Sequence, residues 1–406
     1  MRCNFRTFKW VSFGLGVTSR SALKHWVGEG CAPNYTVRRL VDLGPFAIKV
    51  AQVAATRADL LTPIWRITLG QLHRQVPHVA ESLSVPDVSP VGLVVDRDPV
   101  AVGSIASVHR GRTSHGEEVA VKIIRKGVRA EIAEDAEMCR RLIPLVQLAL
   151  RNVPVSAVLT PLLSAAESQT SMTEEGRSLE SLHQLFAGDN QVIVPQPLLN
   201  LSSDTTLVMA YVAAVESRNH TAEAEGAAKV MLEAVFKMIF WGGIVHCDLH
   251  PGNLFVTESQ HVVILDAGFT VGLSAASRRL LANFFIGLAL GRWEDCATAV
   301  VNALIATDRV DLVRFRDEVA RIAEANDLRR SPDFSVARLA TELFAVQKRF
   351  GAFTHPEFVF PILSLLTVEG RVREASSTIS VASVALPIIV DARSLTGMAG
   401  CNEDCH

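Results

Sequence analysis

The sequence predicts an α+β fold in two lobes, a small strand-rich lobe followed by a larger, mostly helical one. Three observations predict it. Val119-Ala120-Val121-Lys122-Ile123-Ile124 is an apolar strand with one Lys in its middle, and Ser114-His115-Gly116 before it marks a hairpin turn. Downstream, His246-Cys247-Asp248-Leu249-His250-Pro251-Gly252-Asn253 is a tight polar loop, and Ile264-Leu265-Asp266-Ala267-Gly268 is a hydrophobic strand that ends on an acid. From about residue 220 onward the apolar residues recur mostly at helical spacing.

The loop and the strand after it form a phosphoryl-transfer constellation. In kinases an Asp at the start of such a loop accepts the proton of the attacking hydroxyl. An Asn five residues later and an Asp after the next strand hold magnesium on the ATP phosphates. Here those residues are Asp248, Asn253 and Asp266. Oxygen ligands from two separate segments must converge on a hard cation that also binds phosphate. A Lys in an apolar strand is costly to bury unless an anion meets it. Taken alone, Lys122 reads as an edge-strand residue that snorkels to water. Together with the downstream loop, it reads as the contact to the α- and β-phosphates.

The segment Pro99-Val100-Ala101-Val102-Gly103-Ser104-Ile105-Ala106-Ser107-Val108-His109 occupies the place of a glycine-rich phosphate loop but lacks G-x-G-x-x-G. With this Ala-rich loop the chain resembles the UbiB-type (AarF-related) atypical kinases, a family linked to ubiquinone biosynthesis. It also resembles them over Leu43 to Leu61, where Lys49 and Gln52 fall at the spacing of the family's N-terminal signature. Val192-Ile193-Val194-Pro195, Leu207 to Val212 and Ser277-Arg278-Arg279-Leu280-Leu281 are further matches. The resemblance covers roughly residues 40 to 390.

The resemblance implies an atypical protein-kinase-like fold with an N-terminal helical extension. It implies ATP and magnesium as cofactors, with catalysis by Asp248 and Lys122 and metal binding by Asn253 and Asp266. The nucleotide would meet Ala101, Val102, Gly103, Ser104 and Lys122, the hinge from Met209 to Val212, and Lys49 and Gln52 of the extension. Such an extension obstructs a protein substrate, so the resemblance implies an ATPase or small-molecule kinase in quinone or isoprenoid-lipid metabolism, with peripheral membrane contact.

Departures from the family pattern bear on this reading. Ala51 stands where K-x-G-Q has Gly, and Val102, Gly103, Ala106 and Ser107 alter the Ala-rich loop. The family's E-x-D falls on Gln169-Thr170-Ser171, so Lys122 lacks its usual partner; Glu167, Glu174 or Glu175 could substitute, and Glu175 matches a Glu of the family pattern. Asp266-Ala267-Gly268 replaces D-F-G, keeping the ligand and losing the aromatic. Two rival readings are an aminoglycoside- or choline-type phosphotransferase, disfavoured by Leu43 to Leu61, and a nucleotide-binding pseudokinase scaffold.

Composition narrows the classes. A chain of 406 residues suffices for a two-lobed core. A net charge of −2 gives nucleic-acid binding no electrostatic support. Seven scattered cysteines fit a reducing compartment, cytoplasmic or peripheral to a membrane, or the mitochondrial matrix in a eukaryote. Cys247 reads as a small filler in the loop, and Cys401, Cys405 and His406 make a weak metal candidate. No apolar stretch reaches the roughly 18 residues a spanning helix needs, and Ile379 to Val390 is interrupted by Pro387.

In chain order, residues 1–35 are an N-terminal arm that reads as an ordinary extension, although residues 1–28, basic and aromatic without an acid, also suit a surface-binding or transit-like segment. Residues 36–98 form the helical extension, ending in a link over 81–98. Residues 99–212 form the small lobe, with hairpin strands over about 104–124. Ile132, Ala136, Cys139, Leu142 and Ile143 mark an amphipathic helix over Val128 to Arg151. A kinase C-helix is expected over about 160–187, as the resemblance implies, then strands from 192 to 212. Residues 213–395 form the large lobe. A long helix from Thr221 to Phe240 delivers the catalytic loop, strands Leu254 to Val256 and Val262 to Leu265 flank the metal site, and Leu280 to Leu290 is a buried helix. Residues 396–406 are a tail.

Overall fold

The computed structural model describes residues 40, 43, 46–47, 92–149, 155–213, 225–305, 307–327, 334–376 and 379–395. Lys49, Gln52, the N-terminal arm, most of the extension and the tail with Cys401, Cys405 and His406 lie outside the described residues. The elements are β1 (Leu93–Val102), β2 (Ala106–Thr113), β3 (Glu118–Ile124), α1 (Val128–Ala149), α2 (Val155–Ser168), α3 (Met172–Leu185), β4 (Val192–Ile193) and β5 (Thr206–Ala210). There follow α4 (Glu225–Lys237), β6 (Ile244–His246), β7 (Leu254–Val256), β8 (Val262–Ile264), β9 (Thr270–Gly272), α5 (Ala275–Leu290) and α6 (Trp293–Asn302). The last are β10 (Leu304–Ile305), α7 (Leu312–Ala325), α8 (Val336–Phe350), β11 (Phe353–Thr354), α9 (Pro356–Ala375) and α10 (Val381–Leu395). The architecture is α+β. It comprises two compact units, Met1–Arg177 with Gln196–Val212, and Ser178–Pro195 with Ala213–His406.

The first unit is built on a four-stranded antiparallel sheet in the order β1-β2-β3-β5. The hairpin turn is where the sequence puts it, with Gly116 N–H donating to Thr113 O at 2.9 Å. The stretch from Pro99 to His109 is not one loop. Pro99 to Val102 belong to β1 and Ala106 to His109 to β2, leaving a short turn between them. β1 is an edge strand with register shifts on either side of Pro99, and an edge tolerates a residue without an N–H donor. β1 also begins at Leu93, inside the segment expected to be a link.

Strand register sorts the sheet into two faces. Val108, Lys122 and Leu207 lie opposite one another, and so do Arg110, Ala120 and Met209. Directly paired residues share a face, so these six line one side. The other side carries Leu93, Val119, Val121, Ile123 and Val208, covered by Leu198 and Leu201. A second core joins Phe46 to Ile105, Val128, Ile132, Ala136, Leu163 and Ala166. Phe46 is fully buried there, packed with residues of α1 and α2.

One helix over 160–187 is expected, and two are found. Ser168 Oγ donates to Ala165 O and Thr170 Oγ1 to Glu167 O, side-chain bonds that compete with helix continuation. Ser171 Oγ then accepts the Glu174 N–H at 3.3 Å, as an N-cap side chain does, and α3 starts afresh. Gln169-Thr170-Ser171, the positions of the family's E-x-D, form this break.

In the second unit α4 is buried on nearly all sides, from Ala227 to Phe236. It runs into a π-helical turn, Met238–Gly242, that leads directly to β6 and the polar loop. Phe236 and Phe240 stack at 6.2 Å and Phe285 of α5 meets both edge-on. A three-stranded sheet, β4-β8-β7, and a two-stranded pair, β6-β9, carry the loops of interest. Pro387 does not end its helix. α10 continues through it because Val384, Ala385, Ile388 and Ile389 are buried, with the helix packed on α4 and α5. That burial offsets the roughly 3 kcal/mol cost of an interior Pro. Among the described residues no helix is long and apolar enough to cross a membrane.

The start of α5 makes one pH prediction. Ser274, its N-cap, donates from N and Oγ to Glu357 Oε2 at 2.9 and 2.6 Å. Burial alone pushes the Glu357 carboxyl up, but the hydrogen bonds from Ser274 and Ser277 hold it below its ordinary value of 4.5. A depressed carboxylate contributes stability that is complete above that ordinary value and is lost as pH falls through the folded one. Glu357→Gln is therefore expected to lower the thermal midpoint at pH 7 and to flatten its decline below about pH 4.5. The loss should be about 1 kcal/mol or less, because the carboxylate is partly exposed. Calorimetry across pH 3 to about 7 checks it; an unchanged acid limb would show that this cap does not titrate.

Candidate active site

In the first unit Lys122 leaves the middle of β3, with 13% of its side chain exposed, and donates from Nζ to Glu175 Oε1 at 2.6 Å. Only 2% of the Glu175 side chain is exposed. Glu175 lies in the first turns of α3, so the helix restart at Ser171 is what delivers the anion. Of the other candidates, Glu167 pairs with Arg140 and Glu174 is exposed. The start of α3 is itself fixed by Asp204, which accepts Ser171 Oγ at 3.0 Å and pairs with Arg129.

The register places Ala101 opposite Val108, on the Lys122 face, and Val102 on the opposite face. Gly103 N–H donates to Ala106 O at 2.8 Å, and Arg125 Nη1 donates to Ser104 O at 3.2 Å, closing the turn. Gly103 has no positive φ, and a Cβ there would meet only Ala106 O at 3.4 Å. The turn therefore does not require Gly for its conformation. Met209 is buried on the Lys122 face and Val212 is half-buried beyond β5. Val108 and Ala120 share that face and join the candidates; strand alternation counted from Lys122 is the signal that finds them.

In the second unit β6 pairs with β9, and the loop from His246 to Asn253 leaves its end. His246 is fully buried. Its Nδ1 accepts the Asp248 N–H at 3.2 Å, so its Nε2 carries the proton and donates to Asp266 O. Burial pushes the His246 pKa down, which favours the neutral tautomer this bridge needs. One imidazole thus ties the backbone of Asp248 to that of Asp266. Asn253 Nδ2 donates to Asp248 O at 3.0 Å, which turns the amide oxygen away from that carbonyl. Gly268 N–H donates to Asp266 Oδ1 at 2.8 Å and fixes the carboxylate.

The spacing H-P-G-N has a steric reason. His250 Nδ1 accepts the Gly252 N–H at 2.9 Å, and a Cβ on residue 252 would sit 2.6 Å from the His250 ring. The same ring places Nε2 3.9 Å from Asp248 Oδ1. Burial and the adjacent Asp248 push the Cys247 thiol up, so it stays a neutral filler rather than a nucleophile. An aromatic stands two positions after Ala267. Phe269 is buried and meets Phe360 edge-on at 6.5 Å, so the loss expected from Ala267 is made good by a neighbour.

Among the described residues no group of three or more His, Cys, Asp or Glu gathers as a metal site. The donors present are hard oxygens, from Asp266 and Asn253. That set fits magnesium, which takes one or two carboxylates and completes its shell with phosphate and water. It does not fit zinc, which takes a full nitrogen and sulfur set.

Residues 75–300, more than half of the chain, match the ABC1 atypical kinase-like domain. A "Probable protein kinase UbiB" of Pseudomonas entomophila is 25% identical over 371 residues, covering 86% of this chain and 69% of that protein. Its namesake from Aeromonas salmonicida is 27% identical over 373 residues, covering 86% and 68%. Among solved structures, the Rv3197–erythromycin complex from Mycobacterium tuberculosis aligns with a TM-score of 0.57 at 18% identity, over 92% of this chain and 98% of that one. That likeness bears on the fold. With the matched span holding the Lys122 strand, the His246 to Asn253 loop and Asp266, the chain belongs to the ABC1 family of atypical kinase-like proteins, the family of the UbiB kinases.

Proposed function

We propose that this chain binds ATP with magnesium and catalyses phosphoryl transfer or ATP hydrolysis, in a pathway of quinone or isoprenoid-lipid chemistry. The observation that carries the reading is the buried Lys122–Glu175 pair. The family's acidic positions are lost at Gln169 to Ser171, yet a carboxylate still meets the strand Lys. That weighs against a scaffold without turnover, a reading that rests on the altered E-x-D positions and on Ala267. The aminoglycoside- or choline-type reading gains nothing from the family assignment.

The roles follow from the local chemistry. Lys122 binds the α- and β-phosphates, and Glu175 holds its ammonium in place. Val108, Ala120 and Met209, on the same sheet face, offer an apolar surface to the base. Asp248 takes the proton of the attacking hydroxyl or water at its carboxylate. Asn253 and Asp266 hold the metal through oxygen. When bound, magnesium neutralises charge on the phosphate oxygens. Lys49 and Gln52 belong to this proposal through the family signature alone.

A thermal-shift titration tests it. Ligand at 100 times its Kd stabilises a protein by about 2.7 kcal/mol, so saturating MgATP should raise the parent's midpoint by several degrees. Asp266→Asn should abolish most of that rise, because it removes the charged metal ligand. A parental rise in the variant would take Asp266 out of the site.

A further inference from the structure

Within the second unit, helix α9 touches the three segments that carry Asp248, Asn253 and Asp266. Ser364 Oγ donates to His246 O at 3.0 Å, two residues before Asp248. Arg371 Nη1 donates to Leu254 O at 2.7 Å, one residue after Asn253. The Phe360 ring packs edge-on against Phe269, three residues after Asp266. Residues 360, 364 and 371 are separated by four and seven, so they form one stripe along the helix. All of these residues lie in the second unit. α9 is also outside the span that matches the family domain, 75–300.

Ser364 is the informative member. Its residue is 97% buried, with 3% exposure, in the run Phe360-Pro361-Ile362-Leu363-Ser364-Leu365-Leu366, which is otherwise apolar. A buried hydroxyl is unfavourable without a partner, and helical Ser most often turns back on its own helix. Here the hydroxyl is spent on the catalytic loop instead. His246 is the residue whose ring ties Asp248 N–H to Asp266 O. Ser364 therefore holds the carbonyl of the residue that sets the spacing of the two acids.

We infer that α9 is a positioning element for phosphoryl transfer, with Ser364, Arg371 and Phe360 holding the segments of Asp248, Asn253 and Asp266 in one arrangement. The inference rests on the kinase-like reading of those three residues. It makes Ser364 a positioning residue, since it acts through His246 and touches no reacting group.

Two readouts on purified full-length protein test it. In Ser364→Ala, amide hydrogen exchange in peptides covering 246–254 and 266–270 should speed up about tenfold, while peptides of α5 and α8 keep parental protection. MgATP turnover should show kcat lowered roughly 10- to 100-fold with KM within about twofold, because small misplacements of catalytic groups act on the transition state. Ser364→Thr keeps the hydroxyl and should restore both. Leu365→Val, about 100° round α9 from Ser364 and off its stripe, serves as a control that lowers stability without changing exchange in the loop. Parental exchange in both loop segments of Ser364→Ala would overturn the inference. A parent without any ATP turnover would instead overturn the kinase reading, and the exchange measurement would still decide the role of α9.

Discussion

Asp248→Asn is expected to lower kcat for MgATP turnover by about 10²- to 10⁴-fold, the range that a lost general base produces, with KM for ATP nearly unchanged. The substitution removes charge without removing shape. The backbone of residue 248 stays tied to His246 through its N–H and to Asn253 through its carbonyl, so the loop keeps its path. His250 Nε2, 3.9 Å from Asp248 Oδ1, remains beside the amide. Steady-state kinetics on the pair of proteins measures the split. A variant with parental kcat and a raised KM would place Asp248 in ground-state binding and leave the base unassigned.

Glu175→Ala should destabilise the folded protein by up to about 3–5 kcal/mol, because it takes a buried carboxylate away from the largely buried Lys122 ammonium. Lys122 and Glu175 have 13% and 2% of their side chains exposed, so water offers little substitute. The double change Lys122→Met with Glu175→Leu removes both charges. It should be less destabilised than Glu175→Ala alone, since no uncompensated charge remains. It should also be inactive, because the phosphate contact is gone. Chemical denaturation of the three proteins tests this. A Glu175→Ala variant within about 1 kcal/mol of the parent would mean that the pair is open to solvent in solution.

Much of the site was legible from residues close in sequence. The turn at Ser114 to Gly116 and the alternation through Lys122 locate the hairpin, because strand period and turn chemistry are local. The loop from His246 to Asn253 and the acid after β8 follow from spacing, since the steric fit of His250 over Gly252 leaves few sequences that can make that turn. What stayed hidden depends on distant partners. The break at Gln169 to Ser171 reads as helix by its apolar neighbours; side-chain bonds from Ser168 and Thr170, the Ser171 cap and the hold of Asp204 on the start of α3 stop it. Asp96, Arg97 and Asp98 interrupt the strand signal, and it is the pairing of Leu93 to Val95 and of Pro99 to Val102 with β2 on either side that carries the strand through them. Ser364 meets a residue 118 positions away, and no local pattern reveals that. Lys49 and Gln52, the most family-specific residues, stand on the signature alone.

The central claim is that this chain turns over ATP on magnesium held by Asn253 and Asp266. Magnesium-dependent release of phosphate from ATP by the purified protein, with Asp266→Asn measured beside it, tests that claim most directly. Turnover by the parent should disappear on chelation of magnesium and fall by at least about 100-fold in the variant. Equal phosphate release by parent and variant, or none by a parent that binds MgATP tightly, would contradict it.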